Sequence, residues 1–253
     1  GLYRKYFNAF PIVTVGSIHD NQRAVNSDKR VFILTRSAFA GQQRYGANSW
    51  SGDIVSTWDV LRKQIPAGLN FSICGIPYWN ADIGGFHART YPEGIKDPAF
   101  HELYVRWTQF GAFTPMMRSH GTDTPREIYL FGERGTWAFD AQDKFIRLRY
   151  ALLPYLYSTA WSVTSKADTY MRGLFMDFPQ DIKVHNIDNQ YMFGRVFLVA
   201  PVTESMYVDD NRNVTLDNIR SQQVYLPEGA DWYDFWTGEK LQGGQHVNKE
   251  TPI

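Results

Sequence analysis

The sequence has little that would indicate a disulfide scaffold, a membrane protein or a nucleic-acid-binding protein. Its one cysteine, Cys74, cannot form a disulfide within the chain. The apolar runs are far shorter than the roughly 20 residues that span a bilayer, and the N-terminus lacks the pattern of a signal peptide. The 26 Lys and Arg residues balance 26 Asp and Glu residues and are scattered along the chain. We therefore expect neither a nucleic acid nor a membrane as a partner.

Cofactor-binding and nucleophile motifs are also missing. The six histidines show no HxxxH or HxH spacing, which argues against a metal site. No GxGxxG, GxxxxGK(S/T) or GxSxG motif occurs, so nucleotide binding and serine hydrolase chemistry lose their usual support. Because Phe71, Ile73 and Ile76 surround Cys74 in the sequence, this cysteine is expected to be a buried apolar residue. We expect no metal ion and no organic cofactor.

Aromatic residues are abundant, at 16% of a chain that is only 43% hydrophobic. Flat rings beside polar side chains suit ligands with apolar faces and hydroxyl edges, as sugars have. A bulky core explains the same composition, so both interpretations stay open. With 253 residues, the chain is long enough for one large domain or two small ones.

The spacing of apolar residues predicts a parallel α/β architecture. Four short strands are predicted, each followed by a helix and each ending in polar or glycine-rich residues. They cover 30–34, 47–52, 69–79 and 114–117. Because the carboxyl ends of parallel strands lie at one edge of a sheet, a site is expected at that edge.

The remaining pattern predicts helices and then a β-rich part. Asp97 precedes a proline, which is typical of a helix start. Pro66 is expected to kink or end the helix in which it lies, and one long helix is predicted over 140–165 with Pro154 as an interior irregularity. After Ala167, short alternating segments with turn residues predict strands over 171–178, 194–202, 222–226 and 231–236.

Two aspartates are the strongest candidates for catalytic residues in the sequence. Asp53 ends the run WSGD, and Asp82 lies in WNADIGGF. An acid beside Trp and Gly can be partly desolvated while a ligand approaches the backbone closely, and desolvated carboxyl groups can donate a proton near neutrality. The structural alternatives are helix capping by Asp53 and turn formation by Asp82.

Three basic side chains are candidates for ligand contacts. Arg36 and Arg118 follow predicted strands, where a guanidinium can orient carboxylates or hydroxyl groups, although surface ion pairs are the commoner use of arginine. His120, between Ser119 and Gly121, can hydrogen-bond a sugar hydroxyl or be satisfied within its own loop.

Three runs in this order resemble blocks of glycoside hydrolase family 31, the α-glucosidases and α-xylosidases. They are TRSAFAGQQRYGANSWSGDI (35–54), AGLNFSICGIPYWNADIGGF (67–86) and MMRSHG (116–121). The later runs LLPYLYS (152–158) and FGRVFLVAPV (193–202) also resemble the family, so the likeness covers most of the chain. It implies a retaining exo-glycosidase.

The resemblance implies an α/β fold class. Residues 1–166 are expected to form the C-terminal half of a (β/α)8 TIM barrel. Residues 167–253 are expected to form part of the β-sandwich domain that follows the barrel.

The resemblance also implies roles for individual residues. Asp53 corresponds to the general acid/base, which protonates the leaving glycosidic oxygen and then deprotonates the attacking water. The other site residues are expected to surround the sugar, two of them as aromatic walls: Arg36, Trp50, Asp82, Phe86 and His120.

The nucleophilic carboxylate of the family has no counterpart in these residues and is expected upstream of Gly1. The chain is therefore expected to need the N-terminal half of its own enzyme, or to associate with itself, and to be inactive in isolation. Its substrate would be a carbohydrate with terminal α-linked glucose or xylose. Two alternatives are a non-catalytic carbohydrate-binding or structural module and a complete glycosidase that uses Asp53 and Asp82 together.

Overall fold

Seven α-helices and ten short strands form the regular structure of residues 2–253, which the computed structural model describes. The helices are α1 (Leu2–Tyr6), α2 (Phe10–Val25), α3 (Trp58–Ile73), α4 (Pro98–Gly111), α5 (Trp137–Ala151), α6 (Leu153–Lys166) and α7 (Leu174–Asp177). The strands are β1 (Ile33–Thr35), β2 (Ala47–Trp50), β3 (Trp79–Asn80), β4 (Met171–Arg172), β5 (Tyr191–Phe193), β6 (Phe197–Val199), β7 (Ser221–Leu226), β8 (Asp231–Tyr233), β9 (Lys240–Gln242) and β10 (Gln245–Glu250). None of these helices is long and apolar enough to cross a membrane.

A three-stranded parallel sheet organises the first half of the chain. β2 lies between β1 and β3 and runs parallel to both. An isolated parallel bridge between Ile83 and Ser119 continues this arrangement beyond β3. The predicted parallel pairing is confirmed for these strands, so Arg36, which follows β1, and Trp50, which ends β2, lie at the same edge of the sheet.

The largest apolar core joins helices α3, α4 and α6 to strand β3 and to strands β4 and β5. Its members are fully or almost fully buried and include large aromatic side chains. They include Leu61 and Ile65 of α3, Trp79 of β3, and Phe100, Leu103 and Trp107 of α4.

The predicted strand over 69–79 is wrong, because α3 takes residues 69–73 and only Trp79 of the predicted range lies in a strand. Leu61, Ile65 and Leu69 keep a helical spacing and are all buried, so the apolar face of α3 continues past Pro66. Packing of this face holds the helix together although the proline removes one backbone donor. Only β3 is left as a strand.

The predicted strand over 114–117 is also wrong, and a half-buried arginine explains why. Arg149 donates to the carbonyl oxygens of Ala112, Thr114 and Pro115 at distances between 2.7 and 3.0 Å. These carbonyl oxygens each already have a hydrogen-bond donor, and Pro115 has no N–H to donate to a strand ladder. The segment is therefore held by a side chain instead of by a neighbouring strand.

The predicted helices are found with one correction. The backbone N–H of Ala99 donates to Asp97 at 3.0 Å, which confirms the start of α4. The single helix predicted over 140–165 is two helices, since α5 ends before Leu152 and α6 begins after it. Pro154 lies in the first turn of α6, where a missing N–H costs no hydrogen bond.

The prediction that Cys74 is buried is wrong, because its side chain is exposed. It directly follows α3, and the neighbouring Ile73 is exposed as well. Of the apolar residues around it in the sequence, Ile76 is buried and Phe71 packs against the largest core.

Residues 167–253 form short antiparallel sheets, as the strand-rich pattern predicts. β5 pairs with β4 and β6, β7 pairs with β10, and β8 pairs with β9. One predicted strand, 171–178, is wrong in its second half, where α7 forms a helical turn. The division at residue 167 and the β-sandwich arrangement stay predictions.

A buried carboxylate joins α4 to this C-terminal part. Glu102 has no exposed surface and accepts four hydrogen bonds of 2.7 to 3.0 Å. The donors are the hydroxyl of Ser205 and the backbone N–H groups of residues 206–208. Four charge-assisted bonds offset the cost of burying an anion.

We expect Glu102→Gln to lower the free energy of unfolding by about 3 kcal/mol, because the amide loses the charge and places N–H donors against N–H donors. Urea denaturation of the purified protein measures the change, with the exposed Glu93→Gln as the control. A loss of unfolding free energy no larger than that of the control would contradict a stabilising role for the hydrogen bonds to Glu102.

Candidate active site

Asp53 lies in the loop that follows β2, and its side chain is 39% exposed. Its Oδ2 atom lies 3.4 Å from Nη1 of Arg36. The structural alternative, helix capping by Asp53, is not what the structure shows. Thr57 caps α3 instead, with its hydroxyl accepting a backbone N–H of the first turn. The carboxylate of Asp53 is therefore partly exposed beside one guanidinium.

Gly52 permits the close contact between this loop and Arg36. Its φ of +79° lies in the left-handed region that favours glycine. A Cβ atom at this position would lie 2.7 Å from Nε of Arg36, so the arginine side chain would have to move. The glycine beside Asp53 thus serves both the turn and the packing of the arginine.

Asp82 is completely buried, unlike Asp53. Its Oδ1 atom lies 2.5 Å from Nη1 of Arg118, and its Oδ2 atom has no hydrogen-bond partner among the described residues. The predicted turn is present but uses the backbone, because the N–H of Gly85 donates to the carbonyl of Asp82 at 2.9 Å. Burial raises the pKa of Asp82 above its ordinary value of 3.8, while the positive charge of Arg118 acts against this rise.

Backbone hydrogen bonds join the three loops that carry these residues. The carbonyl of Ile54 accepts from the N–H of Phe86 at 2.7 Å, and the carbonyl of Phe86 accepts from the N–H of Thr122 at 3.0 Å. The N–H of Ile83 donates to the carbonyl of Arg118 at 3.0 Å. The loops after β2 and β3 and the loop around residue 120 therefore form one continuous surface.

Aromatic side chains border the same surface. The guanidinium of Arg118 lies 5.8 Å from the ring centroid of Trp50, within cation–π range. The ring of Phe86 lies 5.5 Å from that of His120 and 4.7 Å from that of His87. The indole N–H of Trp50 is buried and has no hydrogen-bond acceptor among residues 2–253. Flat rings and a free donor therefore lie beside the charged groups.

The structure brings the predicted site residues together at one end of the parallel sheet. The negative charge of Asp53 contributes to the raised pKa of Asp82, and the positive charges of His120 and Arg126 oppose it, so these groups act on one another. In the described part of the chain, no group of three or more His, Cys, Asp or Glu residues is placed to hold a metal ion. The roles assigned to the individual residues stay predictions.

Sequence reasoning missed two side chains behind this surface. The hydroxyl of Tyr104 lies 2.7 Å from Oγ of Ser119, and Arg126 donates to the backbone carbonyls of Gly85 and Phe86. A tyrosine within an amphipathic helix and an arginine in a loop give no spacing signal, so only the contacts identify them. Arg118 was a candidate, but its pairing with a buried acid could not be read from the chain.

Comparisons with known proteins agree on one family. The family model for the glycosyl hydrolases family 31 TIM-barrel domain matches residues 2–159, and that for the glycosyl hydrolase family 31 C-terminal domain matches residues 167–253. An α-xylosidase of Saccharolobus solfataricus is 49% identical over 98% of this chain and 31% of its own length. The neutral α-glucosidase C of Homo sapiens is 40% identical over 85% of this chain and 21% of its own length.

A solved structure is similar over nearly the whole chain. The family 31 α-xylosidase of Xanthomonas citri is 43% identical and superimposes with a TM-score of 0.89, which covers 99% of this chain and 26% of that protein. This chain therefore spans less than a third of the length of each of these three relatives.

Replacing Arg118 with methionine is expected to destabilise the protein in a pH-dependent way. Without the guanidinium, the pKa of Asp82 rises further, so ionising this buried acid costs more free energy in the folded state. Below the ordinary carboxyl pKa of 3.8, Asp82 is protonated in both folded and unfolded states and this part of the loss is small. The loss grows as the pH rises and reaches about 3–5 kcal/mol at neutral pH.

Denaturation of wild type and Arg118→Met between pH 4 and 7 measures this difference. The control is the same pair of proteins carrying Asp82→Asn, in which the pH-dependent part should disappear. A destabilisation that is constant across this pH range would contradict the ion pair's role.

Proposed function

Because this chain belongs to glycosyl hydrolase family 31, we propose that it is a segment of a retaining exo-α-glycosidase. The enzyme releases terminal α-linked xylose or glucose from oligosaccharides. Residues 1–166 supply the C-terminal half of a (β/α)8 barrel, and residues 167–253 supply part of the β domain that follows it.

The observation that carries this proposal is the contrast between Asp53 and Asp82. Asp53 is partly exposed, is not used as a helix cap and lies 3.4 Å from Arg36. Such a carboxyl group can reach a substrate oxygen and can exchange its proton. Asp53 is therefore the general acid that protonates the leaving oxygen and the base that then deprotonates water.

The nucleophile comes from a part of the enzyme upstream of Gly1. Retaining hydrolysis needs a second carboxylate about 5 Å from the first. Asp82 does not meet this need, because it has no exposed surface and its Oδ1 atom is paired with Arg118. This argues against the alternative of a complete glycosidase that uses Asp53 and Asp82 together.

The remaining predicted residues bind the sugar. Arg36 orients Asp53. Asp82 orients Arg118, whose side chain is 19% exposed and contacts the sugar. Trp50 and Phe86 form aromatic walls, and His120 beside Phe86 hydrogen-bonds a hydroxyl group. Apolar ring faces next to charged donors suit a pyranose, which has an apolar face and hydroxyl edges.

We propose a terminal α-xyloside as the preferred substrate. Two relatives named α-xylosidases are 49% and 43% identical to this chain, whereas the neutral α-glucosidase C of Homo sapiens is 40% identical. A terminal α-glucoside is the second candidate.

Asp53→Asn in the full-length enzyme is expected to reduce turnover of substrates with poor leaving groups by about 100-fold or more. Aryl α-glycosides with activated leaving groups need little protonation, so their first step should be nearly unchanged. The later loss of base catalysis should be relieved by azide, which attacks without deprotonation. The measurement is the release of aryl alcohol and of sugar, with the exposed Asp59→Asn as the control. Equal loss for both leaving groups would contradict the acid role.

Substrate preference is tested with matched aryl α-xylosides and α-glucosides. We expect kcat/KM for the xyloside to exceed that for the glucoside in the full-length enzyme. The reverse ratio would favour the α-glucosidase assignment. Binding of monosaccharides without any turnover would instead support a non-catalytic carbohydrate-binding module.

A further inference from the structure

Arg126 is a buried arginine that contacts two loops of the candidate site on the side that faces α4. It is 8% exposed. Its Nη2 atom donates to the backbone carbonyls of Gly85 and Phe86, the latter at 3.3 Å, and its Nη1 atom donates to the carbonyl of Thr124 at 2.7 Å. One guanidinium thus joins the loop after Asp82 to the loop that follows His120.

The packing of this guanidinium leaves no room beside it. Its centre lies 5.6 Å from the ring centroid of Phe100, on α4. A Cβ atom at Gly121, the residue after His120, would collide with the guanidinium of Arg126. The arginine therefore lies against both loops and against the helix behind them.

Arg126 also interacts electrostatically with Asp82, which is paired with Arg118. The positive charge of Arg126 lowers the pKa of Asp82, as the charge of Arg118 does. Nε of Arg126 and Oδ2 of Asp82 are both buried, and neither has a hydrogen-bond partner in the part of the chain that is described. Burial lowers the pKa of Arg126, and the charge of Asp82 opposes this change.

We propose that Arg126 is a positioning residue that holds Phe86 and His120 in their relative positions around the sugar. It has no assigned role among the predicted site residues, and the inference rests on the proposed glycosidase function. A planar guanidinium can bind carbonyls of two segments at once, whereas a lysine ammonium cannot reproduce this geometry. The relative position of the two loops should therefore depend on arginine specifically and not only on positive charge.

The chain offers a matched control in Arg106, on the face of α4 that contacts the C-terminal part. Arg106 is 2% exposed, and its guanidinium donates to the backbone carbonyls of Thr251 and Pro252 at 2.7 and 3.0 Å. Its centre lies 5.6 Å from the ring centroid of Tyr207. Burial, partners and aromatic contact match those of Arg126, but none of these contacts is with a site loop.

The experiment compares Arg126→Lys with Arg106→Lys in the full-length enzyme. Melting temperature, kcat and KM on an aryl α-xyloside and an aryl α-glucoside, and amide hydrogen exchange are measured for each. We expect similar losses of melting temperature in both variants. We expect kcat/KM to fall about tenfold to 100-fold in Arg126→Lys, as for a slightly misplaced site, and to change less than about twofold in Arg106→Lys. Exchange should accelerate at residues 83–87 and 119–124 only in Arg126→Lys.

Gly121→Ala provides a second variant that keeps the arginine but displaces its guanidinium, and it should reproduce the kinetic loss of Arg126→Lys. Equal kinetic losses in the two lysine variants, or an Arg126→Lys variant with unchanged kcat/KM and unchanged exchange in the site loops, would overturn the proposal. If the wild-type enzyme hydrolyses neither glycoside, the proposed function fails. The exchange pattern and the binding of xylose or glucose then decide the positioning role separately.

Discussion

The ion pair between Asp82 and Arg118 is the constraint on which the rest of the site depends. Asp82 has no exposed surface, and Arg118 places a positive charge 2.5 Å from its carboxyl oxygen, which offsets part of the cost of burying the acid. The same guanidinium lies 5.8 Å from the ring of Trp50. The pair therefore fixes the loop after β3 and the loop that carries His120 relative to the end of β2. Asp53, in the loop after β2, pairs instead with the exposed Arg36 at 3.4 Å and stays partly exposed.

Helix α4 connects this surface to the C-terminal sheets. Glu102 and Arg106 bind backbone groups of the C-terminal part, while Tyr104 contacts Ser119 on the side of the site. Phe100 of the same helix supports Arg126. One helix thus carries contacts to both regions, which accounts for the buried polar groups along this largely buried helix.

Local signals predicted those elements in which local interactions dominate. Asp97 caps α4 as expected, because capping needs only residues adjacent in sequence. The strands predicted at 69–79 and 114–117 are wrong because distant contacts decide these segments. Packing extends α3 past Pro66, and Arg149 binds the carbonyls of 112–115. The exposure of Cys74 is missed for the same reason, since its apolar sequence neighbours do not face the same way.

The sequence alone determined the order and content of the motifs, and through them the family and the acidic, basic and aromatic residues of the site. Only the tertiary structure decided that Asp53 is exposed and Asp82 buried, and that Arg126 lies behind both loops. Asp82 and Arg118 are 36 positions apart, and Arg126 is 41 positions from Gly85. Burial and pairing over such separations depend on how strands and loops pack, whereas helical and strand periodicity reports only on neighbours within a turn or two.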